Sequence, residues 1–294
     1  MLSSLVEIFC LTDDFCKLFE EEQSKFSLSS RVKRKRACQM TLSEVMTILI
    51  FFHRSDYRTF KHFYLNCVHK ELHSYFPKAI GYSRFVQLIP QALLPLVIFL
   101  KGLQGRETGL YFVDATALET CHIKREKRHK VFEGFAKKGK TSMGWFFGLK
   151  LHLVINQLGE IMNIKITPGN VDDRKPVQSL LQKLKGWLFG DKGYIGQELM
   201  QKLKGQSVLI FTKVKKNMKE KVITPIQRYL LSKRGIIETV IDQLKYGCQI
   251  EHTRHRSPTN AFVNLFAGLT AYQLKPIKPS INLKKIPHSI DSLR

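Results

Sequence analysis

Three carboxylates stand where an acid is unexpected. Asp114 ends the apolar, β-branched and aromatic run Leu110-Tyr111-Phe112-Val113, which reads as a buried strand. Asp191 ends a second such run, Trp187-Leu188-Phe189-Gly190, and Glu238 follows Arg234-Gly235-Ile236-Ile237. Burying a carboxylate costs free energy unless a cation, a proton or a metal ion compensates it. Carboxylates that converge from separate elements can hold two divalent cations about 3.5–4 Å apart. One ion then lowers the pKa of an attacking water and the other stabilises a leaving oxygen, which is the chemistry of phosphodiester cleavage. Mg2+ suits that task, because it takes oxygen ligands and keeps positions for water and phosphate. Mn2+ is the expected substitute. Each acid also has a plainer reading. Asp114 can cap a turn, Asp191-Lys192-Gly193 can be a strand-to-loop turn, and Glu238 can face solvent. Glu238 nevertheless lies on or beside the apolar face formed by Ile236, Ile237, Val240, Ile241 and Leu244.

The elements that must position these acids follow from periodicity. After the Asp114 strand come a polar, basic stretch over residues 121–140 and a long strand over 145–155. The Gln157-Leu158-Gly159-Glu160 turn and a third strand over 161–167 follow. Helical spacing of Val177, Leu180, Leu181 and Leu184, the 187–190 strand, a helix over 197–203, a strand over 208–212 and a helix over 232–244 complete the order βββαβαβα. That order predicts a mixed α/β (α+β mixed) domain over 106–274, with a five-stranded mixed sheet flanked by helices. Residues 1–105 read as a small all-α domain. Leu2, Leu5, Val6, Phe9, Phe15, Leu18 and Phe19 keep helical spacing, and Thr41-Leu42-Ser43-Glu44 is a capping box ahead of Val45, Ile48, Leu49 and Phe52. Further helices are expected over 57–67 and 83–94, and a helix-turn-helix-like reader there would offer Arg58, Lys61 and Arg84 to DNA. Residues 275–294, rich in Pro, Lys and Ser, read as a basic flexible tail.

Composition narrows the partners. The 294 residues carry 48 Lys plus Arg against 24 Asp plus Glu, a formal net charge of +24. Self-repulsion on that scale calls for a polyanion, and nucleic acid leads. A membrane is the weaker choice. The most apolar run, 88–100, contains Pro90 and Pro95 and falls short of a span, and no signal peptide pattern opens the chain. Six scattered cysteines without a C-x-x-C pair are read as reduced thiols. Cys248-x3-His252-x2-His255 offers three local zinc ligands, interleaved with Arg254 and Arg256, for which phosphate contact or surface packing is the stronger reading. Asp172 and Asp173 are expected to cap and charge a helix start. The basic stretches 124–140 and 213–221 are expected to meet DNA, through Lys124, Arg125, Lys127, Arg128, Lys137, Lys138, Lys140, Lys213, Lys215 and Lys216.

The motifs around the acids resemble those of the DDE transposases of bacterial insertion sequences over residues 110–274. Asp114-Ala115-Thr116 matches the context of that family's first acid, and Asp191-x-Gly193-Tyr194 that of its second. Arg234-x3-Glu238-x6-Lys245 matches the Tyr-x2-Arg-x3-Glu-x6-Lys signature around its third, except that Leu231 stands at the Tyr position. The resemblance implies an RNase H-like catalytic domain and metal ligation by Asp114, Asp191 and Glu238. It also implies DNA-phosphate contact by Arg234 and Lys245. It further implies cleavage of double-stranded DNA at terminal inverted repeats and joining of the freed 3′-OH to target DNA. A homodimer on DNA and a cytoplasmic, nucleoid-associated location in a bacterium are part of the same implication. Three rivals remain open: a catalytically retired DNA-binding regulator, an RNase H-like nuclease without strand transfer, and a basic protein coating nucleic acid.

Overall fold

A computed structural model describes residues 2–26, 39–142, 144–213, 224–252 and 254–283. The chain packs as two units, one of residues 1–103 with 244–275 and one of residues 104–243 with 276–294.

The first unit is helical. Thr41 closes the capping box: its Oγ1 accepts from the Glu44 N–H at 3.1 Å, and its own N–H donates to the Glu44 carboxylate at 2.7 Å, opening the helix Leu42–Phe52. That helix is buried on nearly every side. It packs on Leu2–Phe26 and Pro258–Gln273, in a core that includes Ile8, Met46, Ile50, Phe63, Tyr64 and Phe85. Two expectations change here. Pro90 does not break the apolar run, because a 3-10 turn at Ile89–Ala92 places the proline at a helix start, where its missing N–H costs nothing. The resulting stretch Tyr82–Gly102 is long and apolar enough by composition to cross a membrane. Its inward residues, including Phe85, Leu88, Ala92, Leu96 and Phe99, nevertheless form part of this core. The last helix, Pro258–Gln273, was expected with the catalytic sheet. It packs in the helical unit instead, because Val263, Ala267 and Ala271 complete that core.

The second unit is a mixed α/β sheet flanked by helices, with an architecture consistent with an RNase H-like domain. Its strands are β1 (Leu110–Cys121), β2 (Lys137–Thr141), β3 (Gly144–Asn156), β4 (Ile161–Pro168), β5 (Gly186–Gly190) and β6 (Val208–Thr212). Six strands, rather than five, are present among the described residues. The additional one, β2, lies in the lysine-rich stretch and pairs with the first residues of β3. β1, β2 and β4 all run antiparallel to β3, while β5 and β6 extend the sheet in parallel beyond β1. β1 does not stop at Asp114. It runs on to Cys121 because β3 supplies an antiparallel partner over that whole length.

One face of the sheet, carrying Tyr111, Val113, Val154 and Leu188, is covered by Val177, Leu180, Leu199 and Leu203. On the other face Phe112 stacks on Phe189 at 5.5 Å, and Phe189 on Phe211 at 5.4 Å. The helix Pro225–Ser232 packs on β5 and β6, and Gly235–Asp242 on β1. The expected helix over 232–244 begins at Gly235, and a separate helix, Pro225–Ser232, precedes it across Lys233 and Arg234. Residues 276–283, part of the expected flexible tail, are fastened to the β3–β4 turn. The Ile281 N–H donates to Gln157 O at 2.8 Å, and Pro279 O lies where a Cβ on Gly159 would stand.

The start of the parallel pair has no room for side chains. Gly186 has φ +124°, and a Cβ there would lie 2.2 Å from Gly109 O. Gly186→Ala combines a left-handed backbone with a clash and is expected to cost about 2–4 kcal/mol in urea denaturation. A change below about 1 kcal/mol would contradict this reading.

Candidate metal and DNA-cleavage site

The parallel register aligns two of the three acids. Phe112 of β1 lies opposite Phe189 of β5. The same offset carries Asp114 and Asp191, each two residues further on, to one level beyond the end of β5. Strand alternation also puts both on the Phe112–Phe189 face, where the helix Gly235–Asp242 packs. That helix buries Ile236, Ile237, Val240 and Ile241 and sets Glu238 in its first turn, where the helix dipole favours an anion. The break at Lys233 and Arg234 makes Arg234 the residue that precedes the helix.

The acids meet at that arginine. Arg234 Nη2 lies 2.7 Å from Glu238 Oε1 and 4.0 Å from Asp191 Oδ1, and Nη1 lies 3.9 Å from Asp114 Oδ2. Arg234 is 18% exposed, less than any acid it faces: Asp114 24%, Asp191 53% and Glu238 56%. Asp114 accepts the N–H of Ala115 at 2.9 Å. Burial raises its pKa to about 6; the Ala115 N–H and the guanidinium pull it down, while Glu238 and Asp191 push it up. Tyr194, in the stretch after Asp191, is buried beneath Gly190, and its hydroxyl has no partner among the described residues.

The donor set suits a hard divalent cation, since all three side chains offer carboxylate oxygens and the space among them already accommodates a positive group. The spacing differs from that of a formed metal site. Among the described residues, no group of three or more His, Cys, Asp or Glu is close enough to hold a metal ion. The acids converge on the guanidinium rather than on one another.

Other sequence candidates are placed as follows. Arg234, expected to contact DNA phosphate, is engaged with the acids, and Lys245 pairs with Glu251 at 3.1 Å. Lys124, Arg125, Lys127 and Arg128 are exposed on a 3-10 turn, Ile123–Arg128. Lys137, Lys138 and Lys140 are exposed on β2, and the Nζ atoms of Lys138 and Lys140 lie 5.0 and 5.6 Å from the Trp145 ring centroid. Trp145, itself 58% exposed, was not singled out in the sequence. Lys213 is exposed, as are Arg254 and Arg256 in the helical unit, and Arg58, Lys61 and Arg84. Lys215 and Lys216 lie outside the described residues. The zinc reading loses its thiol: Cys248 is fully buried, with its pKa raised by burial, while the His252 and His255 rings lie 5.1 Å apart and tilted by 58°. Asp172 and Asp173 cap no helix. Asp172 accepts three bonds from Arg174, two from its guanidinium and one from its backbone N–H, which hold its pKa down to about 2, and Asp173 pairs with Lys150 at 2.8 Å.

The raised pKa of Asp114 has a signed consequence. Between pH 3.8 and about 6 the native state holds more protons than the unfolded chain, so stability falls as pH rises through that window and the full cost stands above it. Metal-free Asp114→Asn is therefore expected to exceed the wild type in stability at pH 7.5 by about 1–2 kcal/mol, allowing for partial exposure. The gain should vanish toward pH 3.8. Urea denaturation across pH checks this, and a destabilised variant at pH 7.5 would contradict it.

Residues 104–258, just over half of the chain, match the family described as Transposase DDE domain. No curated protein matches the sequence.

Proposed function

The chain belongs to the DDE-domain transposases, and from that premise we propose that it cuts DNA at the ends of its own element and joins the freed 3′-OH to target DNA. The observation that carries this reading is the gathering of Asp114, Asp191 and Glu238 around a single guanidinium. In this reading the three carboxylates hold two divalent ions, Mg2+ or Mn2+. Such ions, when bound, activate the attacking water or 3′-OH and stabilise the leaving oxygen.

The chain's own residues do the rest. The Phe112, Phe189 and Phe211 layer and the apolar face of Gly235–Asp242 fix the three backbones, so the acids keep their separation without ligand. The exposed lysines and arginines of the 3-10 turn and β2 receive phosphates, supported by a cavity of about 540 Å3 lined in part by Lys127, Lys130, Lys137 and Lys138. Arg58, Lys61 and Arg84 of the helical unit are proposed to contact the inverted repeats, and Arg254 and Arg256 the DNA backbone. Two ends and two cuts call for a dimer on DNA.

With DNA carrying the element ends, Asp114→Asn, Asp191→Asn and Glu238→Gln should each lower divalent-metal-dependent cleavage by at least about a thousandfold, with binding changed by less than about threefold. Full cleavage by any of the three removes that residue from the site. Cleavage without strand-transfer products would leave a nuclease. The double change Lys138→Ala, Lys140→Ala should weaken DNA binding and reduce the slope of log affinity against log salt by about two. An unchanged slope would place those lysines off the DNA.

A further inference from the structure

We propose that Arg234 is a resident counter-ion of the acid cluster, occupying the centre between Asp114, Asp191 and Glu238 until divalent metal displaces it. The inference rests on the metal-binding reading of the three acids and concerns what must leave before metal enters.

Three like charges near one point repel, and the fold brings them there in the absence of metal. Arg234 is the cation placed to offset this. One nitrogen serves Glu238 and Asp191, and the other faces Asp114. Its planar fork suits several carboxylates at once. It is also the least exposed member of the group, so these contacts are only partly screened. Geometry holds it there: the residue stands at the break before Gly235–Asp242 and reaches forward four residues to Glu238.

With all groups ionised, three carboxylates and one guanidinium leave two negative charges in excess, enough to attract a divalent cation but with a competitor in place. Once metal takes the carboxylate oxygens, the guanidinium faces cations rather than anions and its contacts turn repulsive. The low-energy response is to swing outward, where the nearest available anion is a DNA phosphate. Arg234 would thus exchange acids for phosphate, and metal binding and DNA binding would favour each other.

The test is Mn2+ binding to the full chain without DNA, by titration calorimetry and by electron paramagnetic resonance of free Mn2+, for wild type, Asp114→Asn, Arg234→Gln and Arg234→Lys. Wild type should bind Mn2+, and Asp114→Asn should lose most of that binding. Arg234→Gln, freed of the competitor, should bind about tenfold more tightly. Arg234→Lys, which keeps charge but loses the fork, should fall between the two and serves if the Gln variant does not fold. In metal-free buffer Arg234→Gln should melt below wild type, and saturating Mn2+ should narrow that gap. If wild type binds no Mn2+, both this inference and the metal-site reading fail. If Mn2+ binds through Asp114 but Arg234→Gln and Arg234→Lys bind equally or more weakly than wild type, only the counter-ion inference fails.

Discussion

Repulsion among three carboxylates is the constraint on which this structure turns. A polypeptide does not place acids together without something to hold them apart and something to offset their charge. Here rigid packing does the first: aromatic rings stacked across β1, β5 and β6, and a helix whose isoleucines and valine bury against the sheet. Arg234 does the second. The acids are thus gathered around the guanidinium without any ligand, and Asp114 lies deep enough for burial to raise its pKa.

The same constraint explains the distribution of charge elsewhere. Among the described residues, exposed lysines and arginines lie on turns, helices and an edge strand, while Asp114 lies largely buried beside the apolar layer of the sheet. Exposed basic residues attract a polyanion over nanometre distances, and a negative pocket within that field takes small cations instead. Under the proposed function, a surface that draws DNA and a centre that draws metal coexist on one domain.

Much of this was legible in the sequence, and the failures have identifiable causes. The apolar runs that lead into Asp114 and Asp191 announce themselves because fully buried strands are continuous apolar runs. The capping box of Thr41 and Glu44 is readable because its two hydrogen bonds need particular residues at a fixed spacing. β2 was hidden, since Lys-Lys-Gly-Lys-Thr has no apolar alternation and forms a strand only because the edge of β3 offers hydrogen bonds. The end of β1 was misplaced for the same reason: its polar second half, beyond Asp114, is fixed by β3. Arg234 was singled out, but its contacts with all three acids depend on a helix break that periodicity smooths over. Lys245 was singled out from the same motif; it lies in the π-type turn Gln243–Gly247 and finds its partner in Glu251.

The central claim is that Asp114, Asp191 and Glu238 together form one divalent-metal site. Anomalous diffraction at the manganese edge, from crystals of the full chain grown with Mn2+ and DNA carrying the element ends, tests it most directly. The account predicts manganese peaks between these three carboxylates, with the Arg234 side chain moved off them. Manganese absent from that space, with Arg234 still holding the acids beside bound DNA, would contradict it.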